Sequence, residues 1–150
     1  MDFSLLEGAM ASKSYEKIAD ICDDLMLQAS SSQNFFINSS LFATSEGVFS
    51  QEGWPYAIHL LGHMYANDMN SARFLWKSIP STIKESQPEI VAVWKIGQCL
   101  WTRNYAGVYE AIRGFDWTPQ VLGLVMDFSG KLAFSLFSFF LFVAYLFLKA

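Results

Sequence analysis

At 150 residues the chain has room for one domain of ordinary size and not for two. Hydrophobic residues make up 53% of it, more than in a typical soluble domain, and much of the excess sits in roughly the last eighteen residues, about one membrane-spanning length. The net charge of −4, with no basic stripe, argues against nucleic acid as a direct partner.

The opening Met1-Asp2-Phe3-Ser4 places no basic stretch before an apolar run, so it does not read as a secretory signal. Phe3 to Met10 reads as a short apolar helix. Ser12 or Ser14 can cap the next helix, from Tyr15 to about Gln28. Ile18, Ile21, Cys22, Leu25 and Met26 form its buried face, and Glu16, Lys17, Asp20, Asp23 and Asp24 face water. From Ala29 to Gly53, serines and asparagines mix with isolated phenylalanines and no period holds. That predicts an irregular insertion. Asn38-Ser39-Ser40 matches a glycosylation acceptor, a chance match without a secretory signal.

Trp54 to Pro80 is the stretch the rest is organised around. Tyr56, Leu60 and Met64, with Ile58, Leu61 and Tyr65, recur at helical spacing and make a helix apolar over most of its surface. Pro55 sits in its first turn. Asn67-Asp68 ends it and offers a cap for a second helix, whose apolar side is Ala72, Leu75, Trp76 and Ile79. Gly62 and Ala72 are small enough for helix backbones to approach closely. Ser81 to Gln87 reads as a short connection. Pro88 then opens a helix from Glu89 to Trp101, with Val91, Val93, Trp94, Ile96, Gly97 and Leu100 as its apolar positions. Asn104 caps the next, Tyr105 to Arg113, which turns Val108, Tyr109 and Ile112 inward and ends at Gly114. Thr118-Pro119 starts a last helix reaching about Phe128. The openings at Lys13-Ser-Tyr, Asp68-Met-Asn and Arg103-Asn-Tyr form an internal repeat, the last two about 35 residues apart, close to tetratricopeptide-like units. The expected fold is all-α: a right-handed stack of three helix pairs, Phe3–Gln28, Trp54–Ile79 and Glu89–Arg113, then a helix from Pro119.

Motifs for chemistry are weak. His59 and His63 lie four apart on one helix face, as metal ligands can, but Leu60 stands where the zinc-protease pattern needs Glu, and no third ligand is evident. They read as packing or satisfied polar residues. Gly62 and Gly97 follow no strand and form no phosphate loop. Asp20, Asp23 and Asp24 read as a solvated face, and no nucleophile elbow is present. Cys22 and Cys99 read as buried free thiols in a reducing compartment. No catalytic, cofactor-binding or metal-ligating residue is expected, and no small-molecule ligand. Of the five tryptophans most read as core. Trp101 and Trp117, near hairpin ends, are the candidate partner contacts.

Several runs carry a resemblance: Lys17-Ile-Ala-Asp-Ile-Cys22, Trp54-Pro-Tyr-Ala-Ile-His-Leu-Leu-Gly62, Ser71-Ala-Arg-Phe-Leu-Trp-Lys77, Trp94-Lys-Ile-Gly-Gln98 and Tyr105-Ala-Gly-Val-Tyr-Glu-Ala-Ile-Arg-Gly114. Together they resemble the family of COP-nine signalosome subunit eight in its plant form, which includes a proteasome lid subunit and subunit k of translation initiation factor three. The resemblance covers roughly residues 1–28 and 53–131. It implies the helical-repeat half of a PCI-type subunit, a non-catalytic scaffold in the nucleus and cytoplasm whose partners are the other signalosome subunits. It further implies a part in removing the ubiquitin-like protein Nedd from cullins, with the zinc metalloprotease in a different subunit, and in repressing light-type development in darkness. The family continues into a winged helix and a C-terminal helix. The expectation is therefore a truncated or alternatively spliced form, with the winged helix missing.

The expected layout is a first helix pair over 1–28, an insertion over 29–53, a helical-repeat domain over 54–131 and a hydrophobic tail over 132–149. Leu132 to Leu148 has no charge, lies between Lys131 and Lys149, and is just long enough to span a thin bilayer. A membrane-tethered helical-repeat adaptor, or an isoform that does not assemble, stand as alternatives to the scaffold subunit.

Overall fold

A computed structural model describes residues 2–39 and 53–149, and among them the regular structure is helical throughout. The helices are α1 (Ser4–Ala11), α2 (Ile18–Ser39, entered through a single 3-10 turn at Tyr15–Lys17), α3 (Tyr56–Tyr65), α4 (Met69–Ser78), α5 (Ser81–Ser86), α6 (Pro88–Trp101), α7 (Tyr105–Arg113) and α8 (Pro119–Lys149).

The centre is α3. Every residue from Tyr56 to Met64 is buried, because α3 packs against α2, α4, α6 and α8. A helix apolar all round is stable only when it is enclosed. Ile18 from α2, Leu60 and Leu61 from α3, Ile90 and Ile96 from α6 and Leu124 from α8 meet in one continuous core.

The repeat expected from sequence is present in the backbone. Each helix pair turns through one left-handed residue: Lys13, Asn67 and Arg103, at φ 54°, 66° and 56°. In each turn the next residue's N–H closes a bond to the carbonyl five residues back. Ser14 bonds to Ala9 at 2.9 Å, Asp68 to His63 at 2.8 Å, and Asn104 to Cys99 at 2.8 Å. This is a helix C-terminal motif that satisfies otherwise orphaned carbonyls. Asp68 and Asn104 then cap α4 and α7, accepting from the Ser71 and Gly107 N–H at 3.0 Å each.

Four boundaries differ from the sequence reading. Neither Ser12 nor Ser14 caps the following helix. The Ser12 hydroxyl bonds to Ala9 O, and the two hydroxyls lie 3.1 Å apart. Helix α2 continues past Gln28 to Ser39. Its serines do not break it, because Ser30 and Ser31 donate back to the Met26 and Leu27 carbonyls at 2.9 Å. The rest of the expected insertion, 40–52, lies outside the described residues. Ser81–Ser86 is a short helix held by the buried Ile83 rather than a plain connection. The helix from Pro119 does not stop near Phe128; α8 runs unbroken to Lys149, with no proline after Pro119 to interrupt it.

The first part of α8 belongs to the core through Val121, Leu124, Val125 and Phe128, while Leu122 is left exposed. Polar ties fix its position. The Thr118 N–H and hydroxyl donate to Glu89 of α6 at 2.8 and 3.0 Å. The Tyr65 hydroxyl donates to Asp127 at 2.8 Å. Lys131 Nζ donates to the Tyr65 carbonyl at 2.8 Å and stands 4.0 Å from the centre of the Tyr65 ring.

Candidate functional site

Among the described residues, chemistry gathers in a buried polar cluster between α2 and α3, and α4 and α6 each carry an exposed aromatic side chain.

The cluster exists because α2 and α3 touch closely. A Cβ added at Gly62 would stand 2.7 Å from Ile18 Cγ2 and 3.0 Å from the Ala19 backbone nitrogen, so only glycine fits. Beside this contact, one turn before Gly62 and directly after it, α3 carries His59 and His63, whose side chains meet. Both are buried, His59 completely. His59 Nε2 lies 2.8 Å from Asp23 Oδ1 on α2. His63 Nε2 lies 3.1 Å from His59 Nε2 and 3.4 Å from the same Asp23 oxygen. The two imidazoles stack, with centres 4.8 Å apart. The Trp54 indole N–H donates to His59 Nδ1 at 3.2 Å.

That last bond fixes the tautomer. An indole N–H can only donate, so His59 Nδ1 presents its lone pair, and the ring proton sits on Nε2 and points to Asp23. Burial pushes the His59 pKa down to about 4; the Asp23 hydrogen bond opposes this, and His63 adds to it. Neutral His59 is thus a double hydrogen-bonded staple: Trp54 on one nitrogen, Asp23 on the other.

Asp23, His59 and His63 offer three ligand atoms within 4.8 Å of one another, the geometry of a metal half-shell. The sequence reading found no third ligand because Asp23 is 36 residues away and lies on a face read as solvated. That face is indeed half exposed at Asp23. The set suits a metal poorly, however. Coordination through His59 Nε2 requires a proton on Nδ1, where the Trp54 N–H already points, and metal-bound histidines ordinarily donate from that nitrogen. Next to the cluster, burial and the Asp23 charge push the Cys22 thiol up to about 12, so it stays protonated and unreactive. Cys22 and Cys99 are both free thiols, but only Cys22 is buried; Cys99 is half-buried.

The candidate partner contacts separate. Trp101, at the end of α6, is 54% exposed, with the Arg73 guanidinium 5.2 Å from its ring centre. Phe74, next to Arg73 on α4, is 71% exposed and was missed by the sequence reading, which gave it no face. Between the same helices Trp76 and Trp94 stack at 5.2 Å, and Lys84 Nζ stands 4.3 Å from the Trp76 ring centre. Trp117 is different. It is buried, and its indole N–H donates to the Ile112 carbonyl at 2.7 Å. Its place is in the fold, not on a presented surface. A groove of roughly 470 Å³ also opens between α1, the start of α3 and the start of α8, with Phe3, Leu6, Met10 and Ile58 among its walls.

Comparison with known proteins gives a consistent picture. The model of the CSN8/PSMD8/EIF3K family matches residues 50–132. The chain is 54% identical over 129 residues to COP9 signalosome complex subunit 8 of Arabidopsis thaliana, an alignment covering 86% of this chain and 58% of that protein. It is 33% identical over 139 residues to the protein of the same name in Xenopus laevis, covering 89% of this chain and 63% of the other. With the Danio rerio protein it shares 43% identity over 67 residues, covering 45% and 35%. The chain therefore spans less than two thirds of the length of each of these relatives.

Proposed function

We propose a scaffold role from one premise: this chain belongs to the CSN8/PSMD8/EIF3K family. Within that family we read it as a non-catalytic subunit of a COP9 signalosome, contributing helical surface that supports cullin deneddylation performed elsewhere in the complex. In a plant this places it in the nucleus and cytoplasm, in the repression of photomorphogenesis. The observation that carries the reading is the 54% identity to the Arabidopsis subunit across most of the chain.

Two features of the structure support it. The convergent polar cluster, Asp23 with His59 and His63, has its best-placed proton committed to a hydrogen bond within the fold. It is built as an internal staple. By contrast, the exposed Trp101 and Phe74 with Arg73 offer the residue types that anchor protein interfaces. The test is affinity purification of the tagged full chain from plant extract, beside a Phe74→Ala, Trp101→Ala double variant. The expected result is recovery of the other signalosome subunits by the parent chain, with recovery reduced about tenfold or more for the variant. Recovery of no signalosome subunit by the parent chain contradicts the reading.

A further inference from the structure

The second half of α8 poses a covering problem that the subunit reading leaves open. The family match ends at residue 132, and from there the helix leaves the core. Phe139, Phe140, Leu141 and Phe142 are consecutive, and all four are more than half exposed. Successive helical residues are about 100° apart, so four in a row pass around the whole circumference. A second copy or a partner helix covers one stripe of about 100° and leaves the rest in water. One partner surface is not enough: every side is covered either by several helices together, as around α3, or by a medium that surrounds the helix.

Four further observations favour a surrounding medium, and agree that it is lipid. An 18-residue window of α8 has mean hydropathy 2.0 and is 0% buried, unlike the core helix of a soluble protein. At about 1.5 Å per residue, Leu132 to Leu148 is about 25 Å long, close to the ~27 Å hydrocarbon thickness of a thin bilayer. Charge stops at its two ends. Lys131 is held at the domain by the Tyr65 carbonyl, and Lys149 lies 5.6 Å from the centre of the Tyr145 ring, a pairing of the kind found at membrane surfaces. The backbone of the segment is helical throughout, so its internal polar groups are satisfied without water.

We propose that Leu132 to Leu148 crosses a lipid bilayer, with the helical repeats held against one face of the membrane. The continuity of α8 makes the tether rigid, since the helix that spans the lipid is the one whose first turns are buried beside α3. This inference does not depend on the subunit reading; failure to recover signalosome subunits leaves it untouched.

The full chain is synthesised in a cell-free system with phosphatidylcholine vesicles, beside the variant Phe137→Arg, Phe140→Arg. Both residues are exposed and lie outside the core, so the repeats keep their packing. The parent chain is expected to float with the vesicles after an alkaline carbonate wash. Proteinase K should leave a fragment containing Leu132 to Leu148 that becomes cleavable once detergent is added. The variant is expected to float at least about tenfold less, as two charges near the middle of a span demand. A parent chain that stays as a soluble monomer, one that aggregates without floating, or one that floats no better than the variant overturns the proposal.

Discussion

Gly62 shows how much of the molecule rests on one missing side chain. The atoms its Cβ would meet are Ile18 Cγ2 at 2.7 Å and the Ala19 backbone nitrogen at 3.0 Å, and a backbone atom cannot swing aside. Gly62→Ala is therefore expected to cost about 2–3 kcal/mol, read as a lower midpoint in chemical unfolding of detergent-solubilised protein. Gly97→Ala is the control. Its nearest obstacle is the flexible end of Met64, which can move where a backbone atom cannot; alanine's better helix propensity helps both variants alike, so the difference rests on the obstacle, and its loss should be under half as large. Equal losses would sink the argument. His59 gives a second test. Its folded pKa of about 4 lies below the unfolded value of about 6.5, so the unfolded chain takes up the proton first. Its contribution is complete above about pH 6.5 and is lost as pH falls toward 4, an effect on the order of 2–3 kcal/mol. Unfolding curves at pH 7 and pH 5 should show the slope, and His59→Gln should flatten it. Sequence alone read His59 and His63 as packing or satisfied polar residues. It could not pair them with Asp23, because a carboxylate on a half-exposed face carries no sign of which distant helix will pack beside it.

At the level of elements, the three turns at Lys13, Asn67 and Arg103 share one geometry with three different side chains. A left-handed backbone costs an ordinary residue about 1–2 kcal/mol; asparagine tolerates it, and glycine is free of it but loses more entropy on folding. Lys13→Gly and Arg103→Gly should each stabilise the fold by about 0.5–1 kcal/mol, while Asn67→Gly should be close to neutral. A destabilised Arg103→Gly protein would contradict the assignment of these turns. The repeat itself was legible, because Asp68 and Asn104 are strong caps placed before apolar periodic runs. The length of α2 was not. Serine and asparagine usually mark loops, and nothing local reveals that Ser30 and Ser31 will turn their hydroxyls back on the helix. The continuity of α8 past Phe128 was not legible, although Gly130 meets no neighbouring atom and leaves the helix intact. Trp117 was misplaced for a similar reason: its partner is a carbonyl five residues back, which a side-chain pattern does not show.

For the whole molecule, one enclosed helix explains both the stability and the surface. With α3 buried among α2, α4, α6 and α8, the repeats form a single body that presents Trp101 and Phe74 outward. The same chain carries an apolar helix, the second half of α8, that leaves this body. The proposal that this body is a signalosome scaffold subunit is decided by the native mass of the complex purified through the tagged full chain. An assembly containing one copy of this chain with the other signalosome subunits is expected; a mass corresponding to the chain alone, or to copies of itself, overturns it.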